Sequence, residues 1–175
     1  MLGGDMEAFA RLYERHYVRA YGLAYRMTGR RETAEDLTQE IFFRTHRKLN
    51  HFNGNSSFST WFYRLAVNCS LNYRRREWKE SQMDVSDDVE LLSAPHQATL
   101  FEKGILQRQV QAHVQRALLS IKPKLRMTFI LKDIEGLNYK QIAEQMNCSE
   151  GTVASRLSHA RVLIARKLGH LRGAY

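Results

Sequence analysis

The sequence lacks the features that mark several large classes of protein. It has only two cysteines and two prolines in 175 residues, and Cys69 and Cys148 lie too far apart for a metal or redox motif. No run approaches the roughly 20 apolar residues that span a bilayer, and the N-terminus has no signal-peptide core. Both cysteines fall at apolar helical positions, so we expect reduced core thiols in a cytoplasmic protein that does not insert into membranes.

Sequence signatures of catalysis are missing as well. The chain contains no Gly-rich phosphate loop, no GxSxG and no HExxH pattern. Its seven histidines are scattered, and no group of Cys, His, Asp and Glu has the spacing of metal ligands. We therefore expect no catalytic residues, no metal site and no cofactor.

Acidic residues are scarce relative to basic ones. The chain has 18 Asp and Glu against 27 Lys and Arg, a formal net charge of +9 and a pI near 9.8. A polyanionic partner such as nucleic acid explains this excess, because neutralised phosphates release their counterions. Composition alone leaves open a ribosome-associated protein or a basic protein with no such partner.

Alternating strand patterns are absent too, and apolar residues instead recur at helical spacing. The sequence predicts an all-α fold, with two small helical domains joined by a flexible acidic linker. We place the first domain at residues 1–79, the linker at 80–97 and the second domain at 98–175. The linker is assigned there because residues 81–95 hold four acidic side chains and no basic one.

Local signals mark the helices of both domains. The first helix ends at Gly29, and Thr33 with Asp36 predicts a capping box at the start of the second. In the second domain, Pro123 predicts the start of a helix and Gly136 its end. The third helix is expected to bury one apolar side, made of Trp61, Phe62, Leu65, Cys69 and Tyr73.

The strongest positive signal lies between residues 137 and 168. Asn138 can cap a short helix, Asn147 suits a left-handed turn and Ser149 can cap a longer helix. The longer helix would bury Val153, Leu157 and Ala160 and turn Thr152, Ser155, Arg156 and His159 outward. This pattern predicts a helix-turn-helix, whose second helix enters the major groove of duplex DNA.

With two helical domains placed, a family resemblance becomes visible. The first domain resembles region 2 of bacterial sigma factors in two stretches, AEDLTQEIFFRTHRKLNHF (34–52) and SFSTWFYRLAVNCSLNYRRR (57–76), and residues 118–168 resemble region 4. The two-domain layout is similar to the extracytoplasmic-function group. The resemblance implies an alternative sigma factor that binds core RNA polymerase, directs initiation at −10 and −35 elements and aids strand opening. Catalysis would then belong to the polymerase.

The resemblance also implies a polymerase-binding surface on the second helix. In the family this surface docks on the clamp of the largest polymerase subunit, and the matching residues are Asp36, Gln39, Glu40 and Phe43. Carboxylates and an amide beside an aromatic ring suit an interface with an apolar centre and a polar rim. From the spacing alone, a helix cap with a solvated face explains the same residues.

The loop after the second helix and the third helix are implied to bind the −10 element. In the family, a base of the displaced strand is flipped into a pocket in this loop, amide side chains read base edges and arginines contact phosphates. The matching residues are Phe52, Asn53, Asn68, Asn72, Arg74, Arg75 and Arg76. A solvated helix surface with a cationic C-terminal end is the alternative.

The helix-turn-helix is implied to bind the −35 element. The matching residues are Lys140, Ser149, Thr152, Ser155, Arg156, His159 and Arg161. Many family members carry basic residues where Ala154 and His159 stand, so this recognition helix is less cationic. Salt bridges within the domain are the alternative for Arg156 and Arg161.

Regulation is implied by the resemblance too. Family members act in stress responses and are held inactive by an anti-sigma factor, and their linker threads polymerase channels shaped for RNA. A plain flexible tether is the alternative for the acidic linker.

Two other functions fit parts of the sequence. A stand-alone helix-turn-helix transcriptional regulator with a helical N-terminal domain would bind a palindromic duplex as a dimer, without polymerase. An RNA-binding or ribosome-linked protein would instead prefer structured RNA.

Overall fold

The computed structural model describes the backbone of residues 2–80 and 101–169 and the side chains of residues 6–73 and 110–169. The helices are α1 (Leu2–Thr28), α2 (Arg31–Lys48), α3 (Phe58–Glu80), α4 (Phe101–Leu119), α5 (Pro123–Phe129), α6 (Tyr139–Met146) and α7 (Glu150–Leu168). Over these ranges the chain contains no strand, which confirms the all-α prediction. None of the helices in these ranges combines the length and apolarity needed to cross a membrane.

The predicted linker lies outside the described residues, apart from Glu80, the last residue of α3. The boundaries at 1–79, 80–97 and 98–175 therefore stay predictions.

The first domain is built from α1, α2 and α3 around one apolar core. Leu23 and Met27 of α1 are buried with Ile41 of α2 and Phe62 of α3. As predicted, the first helix ends before Gly29, which takes a φ of +78° that a glycine adopts without steric cost. A 3₁₀ turn, Leu49–His51, follows α2 and leads into the loop before α3.

The predicted capping box at the start of α2 is wrong. The helix begins at Arg31, and its N-cap residue Arg30 makes no side-chain cap bond. Thr33 and Asp36 therefore lie inside the helix. The reason is the left-handed turn at Gly29, which reverses the chain so quickly that the backbone is already helical before Thr33 is reached.

More of the circumference of α3 is buried than the sequence predicts. Phe62 and Cys69 are buried as expected, but Trp61, Leu65 and Tyr73 are only half-buried. The helix additionally buries Tyr63, Ala66, Val67 and Ser70. The cause is tertiary, because α5 and α6 of the second domain pack against α3.

The second domain contains α4 to α7 and an unexpected π turn. Pro123 lies in the first turn of α5 as predicted, and Gly136 takes a φ of +72°. The sequence predicts one helix between them, but residues Ile130–Ile134 widen into a π turn, with the Glu135 N–H donating to the Ile130 carbonyl at 2.9 Å. Such turns are uncommon and often lie at functional sites.

The two domains share one apolar core. Tyr63 and Val67 of α3 belong to the same buried cluster as Ile130, Leu137 and Ile142 of the second domain. The sequence predicts two compact domains and gives no sign of this packing, because helical periodicity shows that a face is buried without showing what covers it.

His16 is a buried titratable group in this fold. Its ring lies 5.0 Å from the Phe62 ring and 5.5 Å from the Phe58 ring, between centroids. Burial, followed by the charges of Arg15 and Arg19, lowers the pKa of His16 below its ordinary value. His16 is therefore harder to protonate in the folded protein than in the unfolded chain. The stability that neutral His16 contributes is present above pH about 6.5 and is lost as the pH falls below that value.

We expect the free energy of unfolding, measured with urea, to fall between pH about 7 and pH about 5. The variant His16→Phe should show a smaller fall, because it keeps the aromatic packing and removes the proton site. His159→Gln, which changes an exposed histidine, should keep the wild-type slope. An unchanged slope in His16→Phe would exclude His16 as its source.

Candidate functional site

The helix-turn-helix is formed by α6 and α7, with the predicted local contacts. The Asn138 side chain accepts from the Gln141 N–H at 2.8 Å, while Gln141 Oε1 accepts from the Asn138 N–H at 2.9 Å. This is a capping box. Asn147 takes the left-handed conformation at φ 49° and ψ 59°. Ser149 Oγ then caps α7 by accepting from the Thr152 N–H at 3.2 Å. These three sequence predictions are confirmed.

The outward face of α7 is accessible to a partner. All the predicted −35 residues are exposed or half-exposed: Lys140, Ser149, Thr152, Ser155, Arg156, His159 and Arg161. The Ser149 and Thr152 hydroxyls lie 2.9 Å apart, so the cap orients both toward the same end of the helix. Arg156 Nη1 lies 3.6 Å from Cys148 Sγ. Apart from Arg161, these side chains present hydrogen-bonding groups together with one guanidinium.

Arg161 differs from the other predicted −35 residues because it is engaged within its own domain. Its Nε donates to Asp133 Oδ2 at 3.2 Å, and its Nη2 donates to Asp133 Oδ1 at 2.5 Å. Asp133 lies in the π turn. This bidentate geometry favours the salt bridge over a phosphate contact for Arg161.

The two cysteines do not share one environment. Cys69 on α3 is buried, as the sequence predicts. Cys148 is only half-buried and lies in the turn between α6 and α7, so its assignment to a helical position is wrong. The left-handed Asn147 ends α6 before Cys148 is reached. Neither cysteine forms a disulfide.

The predicted −10 loop has an aromatic platform and a polar rim. The half-buried Phe52 ring lies 5.4 Å from Trp61 and 5.7 Å from Phe58, between centroids. Asn53 is exposed, and its Oδ1 accepts from the Asn55 N–H at 3.2 Å, which is a turn-forming contact. An aromatic platform beside an exposed amide can stack an unpaired base and bond its edge.

The remaining residues predicted to bind the −10 element lie along α3. Asn68 and Asn72 are both exposed and stand one helical turn apart. Arg74, Arg75 and Arg76 follow on the same helix, and their side chains lie outside the described residues.

The predicted polymerase surface is the face of α2 that carries Asp36, Gln39, Glu40 and Phe43. Asp36 and Gln39 are exposed, and Phe43 is 58% exposed. The Arg47 guanidinium lies 5.8 Å from the centroid of the Phe43 ring. Glu40 is half-buried and accepts from Arg44 Nε at 2.5 Å. The surface therefore combines an accessible apolar ring with flanking carboxylates, which a partner with an apolar centre and cationic rim can cover.

Two prominent residues escaped the sequence analysis. Arg126 is fully buried, and its guanidinium donates to the carbonyls of Leu118 at 2.6 Å and Leu119 at 2.6 Å within its domain. Glu135, next to the π turn, accepts from Arg19 of α1 at 3.0 Å. The signal for Arg126 was present, since a charged residue stands inside an otherwise apolar helical pattern. Glu135 had no such signal, because its partner is 116 residues away.

No metal centre appears in the part of the chain that the structure describes. No group of three or more His, Cys, Asp or Glu side chains there is placed to hold an ion. The expected lack of a metal site stays a prediction.

Comparison with family models matches both domains. Residues 12–80 match Sigma-70 region 2, and residues 108–164 match Sigma-70 region 4. The two matches occur in the order and in the domains that the helices define.

Curated relatives match over almost the whole chain. The RNA polymerase sigma-H factor of Pseudomonas aeruginosa is 33% identical over 171 residues, covering 94% of this chain and 88% of the relative. The ECF RNA polymerase sigma-E factor of Escherichia coli K12 is 34% identical over 177 residues, with coverage of 94% and 88%. The ECF RNA polymerase sigma factor SigW of Bacillus subtilis is 31% identical, with coverage of 96% and 92%.

Solved structures share the fold. The sigma factor RpoE of Bartonella quintana, crystallised with the anti-sigma factor NepR, superposes with a TM-score of 0.71 at 21% identity and covers 93% of this chain and 98% of its own. CnrH, solved with the cytosolic domain of CnrY, gives a TM-score of 0.65 at 19% identity, with coverage of 94% and 90%.

The fold and its exposed surfaces define a helical, two-domain DNA-binding protein with a second surface suited to a protein partner. The matches to region 2, region 4 and the curated relatives show that the chain belongs to the sigma-70 family of RNA polymerase sigma factors, in its extracytoplasmic-function (ECF) group. It is an alternative sigma factor and not an enzyme, and it directs transcription from promoters as a subunit of RNA polymerase.

Proposed function

We propose that this sigma factor divides promoter recognition between its two domains. The first domain binds core RNA polymerase and the displaced strand of the −10 element, and the second holds the −35 duplex. The observation that carries this division is the polymerase surface on α2, where Phe43 stays 58% exposed although the opposite face of the helix is buried. An exposed aromatic ring flanked by carboxylates has the composition of a protein interface, in which aromatic residues are enriched at the centre and polar residues at the rim.

The polymerase surface is proposed to contact the clamp of the largest polymerase subunit. Phe43 supplies the apolar centre, and Asp36 and Gln39 supply an exposed polar rim. Glu40 is held by Arg44, so its carboxylate is oriented before the partner arrives. Exposed carboxylates also raise the association rate with a basic partner surface.

The −10 element is proposed to bind the loop before α3 and the exposed side of α3. A flipped nucleobase would stack on the aromatic platform formed by Phe52, Phe58 and Trp61. This stacking offsets part of the cost of removing the nucleobase from the duplex. Asn53, Asn68 and Asn72 are the proposed readers of base edges. Arg74, Arg75 and Arg76 are the proposed phosphate contacts.

The −35 element is proposed to bind the outward face of α7. Ser155, Arg156 and His159 project from that face, with Lys140, Ser149 and Thr152 at its N-terminal end. Arg161 keeps a secondary role, since its salt bridge to Asp133 holds it away from a phosphate. Two modest DNA interfaces suffice because linked sites act at a raised effective concentration.

Regulation and location follow from the same proposal. We propose that an anti-sigma factor inhibits the free protein in the cytoplasm, where polymerase and promoter DNA meet. The structural relative bound to NepR supports an anti-sigma partner. The acidic stretch at residues 80–97 is proposed to enter a polymerase channel shaped for RNA.

A gel shift tests the proposed division against the stand-alone regulator. The labelled DNA is a promoter fragment found by start-site mapping, offered with and without core polymerase. The proposal predicts a specific complex only when core polymerase is present. Tight specific binding of the duplex by the protein alone, in a dimer, would support the regulator instead. Preference for structured RNA over the promoter would support the RNA-binding alternative.

Substitutions on α3 should distinguish residues that contact DNA phosphates from residues that recognise bases. Arg75→Ala should weaken promoter binding about equally for all sequences and lower the salt slope by about one. Asn68→Ala should instead change which −10 base is preferred, with a discrimination loss of about 1–3 kcal/mol. Competition between promoter variants at several salt concentrations measures both effects. Identical behaviour of the two variants would contradict the assigned roles.

A further inference from the structure

The aromatic platform of the −10 loop is not confined to the surface of the first domain. Its outer ring, Phe52, lies edge-on to Phe58 at 5.7 Å between centroids, and Trp61 also lies 5.7 Å from Phe58. Phe58 continues the series inward, because its ring stands 6.1 Å from that of the buried Phe62. The platform is therefore the outer end of a row of rings that enters the core.

His16 of α1 supports this row from another helix. Its ring lies 5.5 Å from the Phe58 ring and 5.0 Å from the Phe62 ring, and the residue is only 8% exposed. Rings at such distances attract each other beyond the simple burial of their area. The imidazole thus packs against the ring that both Phe52 and Trp61 contact.

The backbone beneath Phe58 is fixed by local contacts. Ser57 Oγ accepts from the Thr60 N–H at 3.2 Å, and the Ser57 carbonyl accepts from the Trp61 N–H at 3.1 Å. These bonds start α3 at Phe58 but do not choose the side-chain rotamer of that residue. The orientation of the Phe58 ring is set by the rings around it, among which His16 comes from α1.

The surroundings of His16 disfavour a proton on its ring. Burial, and then the guanidinium groups of Arg15 and Arg19 on the same helix, lower the pKa of His16. Arg19 is itself paired with Glu135 at 3.0 Å. On the α3 side the neighbours are the two uncharged phenylalanine rings. No carboxylate of the described residues pairs with His16, so a proton would create a buried cation without a partner.

Protonation would remove the support that His16 gives to the platform. A buried charge without a partner is costly, so the imidazolium would move toward water or draw water in beside it. Either change loosens Phe58, and Phe52 and Trp61 lose the ring that joins them to the core. Rings that must be ordered when the nucleobase arrives bind it more weakly than rings that are already held in place.

We propose that His16 is a positioning residue of the −10 site, which holds the platform rings in the orientation that stacks an unpaired nucleobase and does so only while its imidazole is neutral. The inference rests on the proposed function, because the platform matters only if a nucleobase is flipped onto it. His16 is buried, so it acts through Phe58 and does not touch the DNA. Capture of the −10 strand should therefore weaken as the pH falls below about 6.5.

Tryptophan fluorescence reports the state of the platform in the full chain. The sequence has two tryptophans, so Trp78→Phe leaves Trp61 as the single probe. Its emission should change from pH about 7.5 to pH about 5.5, under conditions in which circular dichroism shows the helices intact. The change should be absent when His16→Phe is added, because this variant keeps an aromatic ring and removes the proton site.

His51→Gln is the matched control. His51 is exposed and directly precedes Phe52 in the chain, so it is a second histidine beside the platform. The control should keep the pH dependence of the wild type. Loss of that dependence in His51→Gln, or its persistence in His16→Phe, would overturn the role of His16.

The affinity of the polymerase holoenzyme for forked promoter DNA, in which the −10 bases are unpaired, supplies the functional readout. Over the same pH range the wild type should lose about fivefold more affinity than His16→Phe, which is near the lower end of what one stacked base contributes. At the higher pH the two proteins should bind equally. A fluorescence change without this difference in affinity would contradict the inference.

His16→Ala separates the packing from the proton. It removes the ring and the charge together, so at the higher pH it should already bind the fork about fivefold more weakly than the wild type. Its affinity should then fall with pH no more than that of His16→Phe. Wild-type affinity in His16→Ala would overturn the proposal. If this variant does not fold, the comparison of the wild type with His16→Phe decides.

The same assay distinguishes failure of this inference from failure of the proposed function. If the wild type and His16→Phe respond identically to pH, His16 has no positioning role and the −10 site still stands. If the wild-type holoenzyme binds forks with an intact and a scrambled −10 sequence equally at the higher pH, the proposed function itself is contradicted.

Discussion

Replacing the buried Arg126 with leucine should lower the free energy of unfolding by about 3–5 kcal/mol. The side chain is fully buried, and its guanidinium bonds four backbone carbonyls, those of Met27, Leu118, Leu119 and Ile121. Leucine fills part of the volume but leaves these carbonyls without a donor. Each orphaned acceptor costs about 1–3 kcal/mol, and partial rehydration keeps the total below their sum.

Urea unfolding followed by circular dichroism checks this value. The matched control is Arg116→Leu, which makes the same chemical change at an exposed position of α4. That variant should stay within about 0.5 kcal/mol of the wild type. Equal stabilities for Arg126→Leu and Arg116→Leu would show that the carbonyls find other donors. The buried guanidinium would then hold neither the second domain nor the contact with α1.

Phe43→Ala should raise the dissociation constant for core polymerase about 30-fold. Aromatic residues at the centre of an interface commonly contribute about 2 kcal/mol or more when truncated, which corresponds to that ratio. Phe43 is 58% exposed, so its removal leaves no cavity in the free protein and should leave stability almost unchanged. The effect on binding is therefore separable from an effect on folding.

Fluorescence anisotropy with labelled protein and purified core enzyme measures this constant. Val18→Ala is the matched control, because Val18 is an apolar residue that is 79% exposed on α1, away from the polymerase surface. It should bind as the wild type does. The double variant Asp36→Ala and Glu40→Ala should weaken binding as well, and more strongly at low salt. If Phe43→Ala binds core polymerase with wild-type affinity, the assignment of the polymerase surface to α2 is wrong.

The helix-turn-helix could be predicted almost completely because its determinants are local. Asn138 and Ser149 each cap a helix through a backbone N–H three residues further on, and Asn147 ends α6 with a left-handed turn. The spacing of these residues along the sequence is enough to predict such short-range contacts, so no knowledge of the rest of the fold is needed. The same holds for the turn at Gly29 and for Pro123 in the first turn of α5.

Some errors arise where distant residues decide the structure, and others where a nearby backbone feature overrides a sequence pattern. The extra buried side of α3 depends on the second domain, and the contact between Glu135 and Arg19 spans 116 positions. The π turn at Ile130–Ile134 adds one residue to a helix that periodicity treats as regular. The start of α2 was misplaced because Thr33 and Asp36 have a capping spacing, while the turn at Gly29 starts the helix earlier.

The sequence predicts which side chains of the candidate site are exposed, but it does not predict which other side chains they contact. Exposure agrees with the assigned roles of Phe43, Asn68 and His159, since charged, amide and aromatic side chains on otherwise apolar helices mark a surface. Arg161 shows the limit, because a basic residue on a recognition helix can bind a carboxylate of its own domain instead of DNA.

Sequencing of RNA 5′ ends tests the central claim most directly. Core polymerase would transcribe fragmented genomic DNA with and without this protein, and the new transcript starts would be aligned. The division between the domains predicts discrete new starts that share one sequence motif near −10 and another near −35. At a protein concentration well below the dissociation constant of Phe43→Ala, that variant should give far fewer of these starts. Starts identical to those of core polymerase alone, or new starts without two shared upstream motifs, would contradict it.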